Sequence, residues 1–149
     1  MKASNFKLFS QAKKEVSLED YLGNHLIINF FPQAFSSSCT EQLCHMRDNL
    51  KQYQNLGTAV IGISVDSPFT LAAFATQNNY TFPLLSDFNK EIAKAYNVYL
   101  EDFVFGMKGV SKRAVFLVDS HGDIVYQEVT ASPGDLPNFD RLKQAINKL

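Results

Sequence analysis

The sequence predicts an α/β domain in which a mixed central sheet carries helices on both faces. Three observations lead to it. Two apolar runs rich in β-branched residues, HLIINFF (25–31) and TAVIGISV (58–65), read as buried strands separated by a segment of helix length. A four-residue turn, SHGD, joins RAVFLVD (113–119) to IVYQEV (124–129), which reads as a hairpin. The chain closes on NFDRLKQAINKL, whose apolar positions fall on one helical stripe.

The remaining elements follow in order. NFKLFS reads as a short strand, and KEVSLEDYLGN as a strand end, one helical turn and a Gly-Asn turn. Pro32 stops the 25–31 strand, since proline cannot donate to a central ladder. A helix is expected from about Cys39 to Gln54, ended by NLG. In DSPFTLAAFATQNN, Asp66 or Ser67 is the N-cap, with proline in the first turn. FPLL is a short strand or an extended link, and SDFNKEIAKAYNV a short amphipathic helix. In the loop from Tyr99 to Lys112, Gly106 and Gly109 suggest turns. Phe103, Phe105 and Met107 suggest that it packs on something, either the core or a dimer partner.

Composition bounds the function. At 149 residues the chain is expected to form one domain, residues 1–149, large enough to bury a core. A net charge of −1 gives no nucleic-acid or anionic-membrane footprint. No apolar run reaches the ~18 residues of a membrane span, and MKASNFKLFSQAKKEVS lacks the apolar stretch of a signal peptide. The expected location is therefore cytoplasmic. In that reducing compartment two cysteines are candidates for chemistry or simple burial rather than for a permanent bridge.

Both cysteines lie in FFPQAFSSSCTEQLCHMRD (30–48), where the chain leaves a strand and enters a helix. Ser38 and Glu41 fit a capping box, which places Cys39 at the first helical position. Free N–H groups and the positive end of the helix dipole there favour a thiolate over a thiol. Cys44 stands five residues on. In an intact helix that spacing gives a rise of ~7.5 Å and a rotation of ~140°. The Cα atoms are then ~8.7 Å apart, beyond the ~7 Å reach of a disulfide. The pair is either unrelated or a couple that bridges only when the first turn unwinds. A zinc site from Cys39, Cys44 and His45 lacks a fourth ligand and the usual spacing. A cysteine-hydrolase triad would have to recruit His25, His45 or His121 from a strand start, a helix or a turn.

This stretch resembles the peroxiredoxin motif Pro-x-x-x-Thr/Ser-x-x-Cys, matched in register by Pro32, Ser36 and Cys39. VIGISVDSPFTLAAF and FPLLSDFNKEIAKAYNV are similar to the segments that follow in that family. SKRAVFLVDSHGDIVY is similar to the strand that carries the family's arginine, here Arg113. The resemblance implies a thioredoxin-like fold and thiol-dependent reduction of hydrogen peroxide or alkyl hydroperoxides, with no metal or organic cofactor. Cys39 would be the peroxidatic thiolate and Arg113 would hold the thiolate and the peroxide oxygens. Ser36 would hydrogen-bond the peroxide, and Pro32 would shield the thiolate from water. The position of Cys44 is similar to that of the resolving cysteine in the bacterioferritin-comigratory or Q-type branch. A cellular dithiol, thioredoxin or glutaredoxin, would then reduce a Cys39–Cys44 disulfide, in a monomer or homodimer. Two departures stand out: serine replaces the usual threonine at Ser36, and Gln42 occupies a position where the family often has glutamate. FPQAF also resembles one-cysteine members. A peroxide sensor using the same thiol is the reading from another class, and a general disulfide oxidoreductase is a further rival.

Overall fold

The computed structural model describes residues 1–149. In chain order the elements are β1 Lys7–Ser10, β2 Glu15–Ser17, a short 3-10 turn at Leu18–Tyr21, β3 His25–Phe30, α1 Ser37–Asp48 and α2 Leu50–Asn55. They continue as β4 Thr58–Ser64, α3 Pro68–Asn78, β5 Leu84–Ser86, α4 Glu91–Ala95, β6 Tyr99–Asp102, β7 Lys108–Ser111, β8 Ala114–Val118, β9 Ile124–Val129 and α5 Phe139–Asn147.

Seven strands form one sheet in the order β2-β1-β5-β4-β3-β8-β9. β3, β4 and β5 run parallel, while β8 lies antiparallel to β3 and β9 antiparallel to β8. The sheet is mixed, as the sequence predicts. β3 is central and buried on both faces, which explains why it reads as a continuous apolar run rather than an alternation.

The two faces of the sheet carry separate cores. Ile27, Phe31, Val60, Val115 and Leu117 pack against Leu43 and Met46 of α1, Leu71 and Phe74 of α3, and Leu142 and Ile146 of α5. Leu26, Ile28, Phe30, Ile61, Ile63 and Phe116 pack on the opposite face against Ile92 and Ala93 of α4, with Tyr96, Phe6 and Leu18. Packing around β4 is close at Gly62: a Cβ there would lie 2.9 Å from Leu84 Cδ2 of β5, 3.2 Å from Phe31 Cε1 and 3.6 Å from Leu43 Cδ2 of α1. No helix is long and apolar enough to cross a membrane.

Three expectations are corrected. The expected helix from Cys39 to Gln54 is two helices, broken at Asn49 (φ −111°, ψ 9°). The Asn49 side chain donates to the His45 carbonyl at 2.8 Å, and this local bond competes with continuation of the helix. The helix also begins earlier than expected. Ser36 is the N-cap, so Cys39 is the third helical residue rather than the first, and the Ser38–Glu41 capping box does not form. The Ser38 hydroxyl instead points to the Gly134 carbonyl, 3.3 Å away. The early start follows from the preceding turn, where Phe35 takes a left-handed conformation (φ 70°). Finally, the loop from Tyr99 to Lys112 contains a small hairpin, β6 on β7. Its tip residue Phe105 is 96% exposed, so it packs on nothing within the chain.

Candidate active site

The site assembles where β3 ends and α1 begins. The turn between them is held by buried polar contacts. Ala34 N–H donates to Asp66 Oδ2 at 2.8 Å, and the Ser64 hydroxyl donates to the same oxygen. Burial pushes the Asp66 carboxyl above its ordinary range. The Ser111 hydroxyl donates to the Phe31 carbonyl at 3.0 Å. Pro32 is buried at the start of this turn.

Cys39 is fully buried. The first backbone bond of α1 runs from Thr40 N–H to the Ser36 carbonyl at 2.9 Å, so the N–H groups of Ser37, Ser38 and Cys39 precede the helical ladder. The corrected register therefore still leaves Cys39 in the first turn, within the favourable field of the helix start.

Arg113 comes from the residue just before β8, on the strand next to β3. Its Nη2 donates to Cys39 Sγ at 3.2 Å. It is the largest fully buried side chain in the molecule, and each of its nitrogens is held. Nε and Nη2 donate to the Pro133 carbonyl at 2.9 and 2.7 Å. Nη1 donates to Gln42 Oε1 at 3.0 Å. Gln42 lies three residues beyond Cys39, close to one helical turn, and its Nε2 donates to Asn29 Oδ1 at 3.2 Å. Asn29 in turn donates to the Ile61 carbonyl at 3.1 Å. A buried polar chain thus runs from the arginine into the middle of the sheet.

A buried cation touching a sulfur at a helix start is an arrangement for stabilising thiolate sulfur and an oxygen that gains charge beside it. The Ser36 hydroxyl donates to the Gln33 carbonyl at 2.9 Å, which leaves its oxygen lone pairs as acceptors.

The AhpC/TSA family model matches residues 1–127, which include Pro32, Ser36, Cys39, Cys44 and Arg113. The chain belongs to this peroxiredoxin family. A putative peroxiredoxin of Mycobacterium tuberculosis is 42% identical over 126 residues, 83% of this chain and 80% of the relative. Peroxiredoxin Bcp of Escherichia coli is 35% identical over 124 residues, 82% of this chain and 79% of the relative. Among solved structures, Enterococcus faecalis AhpC has a TM-score of 0.86 at 27% identity, covering 99% of this chain and 89% of that one. The thioredoxin-like fold and thiol peroxidase activity expected from the resemblance are those of this peroxiredoxin family.

Of the expected site residues, the structure brings Cys39 and Arg113 into contact and places Pro32 and Ser36 on the turn and N-cap that lead into α1. Cys44 stands apart. It is half-buried, unbridged and a helical turn further along α1, with Sγ 3.4 Å from the Tyr80 hydroxyl. Gln42 was noticed only as a departure, yet it holds the arginine. Asn29 carried a signal, being a polar residue inside HLIINFF. Pro133 carried none, because its contribution is a backbone carbonyl.

Proposed function

We propose that Cys39 is the peroxidatic cysteine and Cys44 the resolving one, with hydrogen peroxide or an alkyl hydroperoxide as substrate. The observation that supports this best is the 3.2 Å contact between Arg113 Nη2 and Cys39 Sγ. Cys39 thiolate attacks one peroxide oxygen and displaces the other. The S–O bond forms as the O–O bond breaks, and the leaving oxygen departs as water or alcohol after taking a proton. Arg113 faces both the sulfur and the departing oxygen, so its charge stabilises the transition state. Ser36 accepts the peroxide O–H and fixes its orientation.

The product is a sulfenic acid at Cys39. α1 spans both cysteines without a break, so disulfide formation requires its first turn to unwind. Cys44 then attacks Cys39 sulfur, the S–O bond breaks and the hydroxyl leaves as water. Thioredoxin or glutaredoxin reduces the disulfide by thiol exchange in the cytoplasm. Intact-mass measurement after one equivalent of peroxide tests this reading. The wild type loses two mass units relative to the reduced chain. A stable gain of sixteen instead would make it a one-cysteine enzyme or a sensor.

A further inference from the structure

Tyr80 touches α1 at the turn that holds Cys44. It follows α3 past Asn79, which is left-handed (φ 57°), and its own N–H returns to the Ala75 carbonyl at 3.0 Å. Its ring is buried, edge-on to Phe74 with centroids 5.2 Å apart and stacked on Phe82 at 5.5 Å. The rigid setting fixes the hydroxyl at 3.3 Å from the Thr40 carbonyl and 3.4 Å from Cys44 Sγ.

The hydrogen count orders these contacts. A carbonyl only accepts, and a phenol has one hydrogen. Tyr80 therefore donates to Thr40, and the Cys44 S–H donates to the phenol oxygen. Thr40 carbonyl is also the acceptor for Cys44 N–H in the helical ladder. One phenol thus ties both ends of the turn that carries Cys44. Burial, and then the Cys44 contact, push the Tyr80 hydroxyl well above its ordinary range, so it keeps its proton. Arg47 supplies a second tie, donating from Nη1 to the Asn78 carbonyl at 2.8 Å.

We propose that Tyr80 is a positioning residue for Cys44, a clasp that holds this thiol and the Thr40 carbonyl while α1 is wound and is released when the helix opens. Its catalytic meaning rests on the reading of Cys44 as the resolving cysteine. The reaction served is Cys39 sulfenic acid plus Cys44 thiol giving disulfide plus water, the thiol hydrogen leaving in the water. The clasp favours the wound state in which Cys39 meets peroxide, and it delays the opening that protects Cys39 from a second peroxide.

Tyr80→Phe keeps the ring and removes the hydroxyl. Loss of one net hydrogen bond shifts the opening equilibrium about fivefold. In a Cys39→Ser background, Cys44 is the sole thiol, and iodoacetamide should alkylate it about fivefold faster when Tyr80→Phe is added. With Cys39 present, Tyr80→Phe should leave sulfenic acid formation at the wild-type rate, speed disulfide formation by a similar factor and reduce sulfinic acid. A side chain that merely fills the core would not split the two steps. Unchanged amide protection in β3 and β4 reports an intact core. Unchanged Cys44 alkylation overturns the clasp, as does slower disulfide formation in Tyr80→Phe. Faster alkylation in the Cys39→Ser background, together with a stable gain of sixteen mass units and no disulfide when Cys39 is present, supports the clasp and removes the resolving role of Cys44.

Discussion

Arg113 Nη1 donates to Gln42 Oε1 at 3.0 Å, a neutral acceptor against a buried cation. The amide fixes the guanidinium without cancelling its charge, so the positive field remains for Cys39. Asn29 keeps the amide oriented from behind.

Gln42→Glu places a carboxylate in that position. The added negative charge competes with the Cys39 sulfur for Arg113, an effect worth about one decade in reactivity. Iodoacetamide alkylation of Cys39 at pH 7 should slow about tenfold, in step with peroxide oxidation. An unchanged alkylation rate would show that the neutrality of Gln42 does not matter.

Arg113→Met removes the cation and leaves the buried Gln42 oxygen without its donor. The folded chain should lose about 1–3 kcal/mol of stability by urea unfolding. Peroxide oxidation should slow about a hundredfold or more, as for loss of a transition-state donor. The loss should exceed the drop in alkylation rate, because the arginine acts on the leaving oxygen as well as on sulfur. Equal losses would confine its role to the thiolate.

The two cysteine substitutions separate the two chemical steps. Cys39→Ser should abolish peroxide turnover, since a serine hydroxyl is barely ionised at neutral pH. Cys44→Ser should oxidise at nearly the wild-type rate in a single turnover. It should then recycle slowly with thioredoxin and accumulate sulfinic acid at lower peroxide doses. Mass spectrometry across a peroxide titration checks both, and wild-type recycling by Cys44→Ser would remove this residue from the cycle.

His45 predicts a pH dependence of stability. It stacks on Phe139 of α5, with ring centroids 3.7 Å apart, and hydrogen-bonds the Tyr53 hydroxyl at 3.1 Å. Burial lowers its pKa from the ordinary value, with Lys143 acting in the same direction and Asp48 and Asp140 opposing. The unfolded chain therefore binds the proton first. The contribution is intact above the ordinary histidine range near 6.5 and is lost as pH falls through that value toward the folded one. Urea midpoints should drop between pH 7.5 and 5.5, and less steeply in His45→Gln. Parallel slopes in the two proteins would contradict the assignment.

Much of this was readable in the chain because local rules and global packing agree. β3 and β4 announce themselves as apolar runs, and the Ser67 cap with proline at the helix start sets α3. The motif and Arg113 were legible because their residue types and spacing are specific. What escaped depended on distant partners or on backbone. The start of α1 was misplaced by two residues because Ser36, Ser37 and Ser38 can each cap, and the left-handed Phe35 that decides among them has no reliable signature in sequence. The break at Asn49 was missed because a side-chain bond to the preceding turn overrides a favourable helical pattern. The hold on Arg113 by Pro133 was invisible, since any residue supplies a carbonyl.

That last contact has a consequence for how the protein comes into being. Cys39 lies in the first third of the chain, while Arg113 and the Pro133 carbonyl that aims it lie in the last third. On the ribosome, Cys39 emerges long before either. Until translation is nearly complete, its sulfur has no guanidinium beside it. Its reactivity arrives with the finished molecule, so a nascent chain passes through synthesis without exposing an activated sulfur to the oxidant it is built to consume.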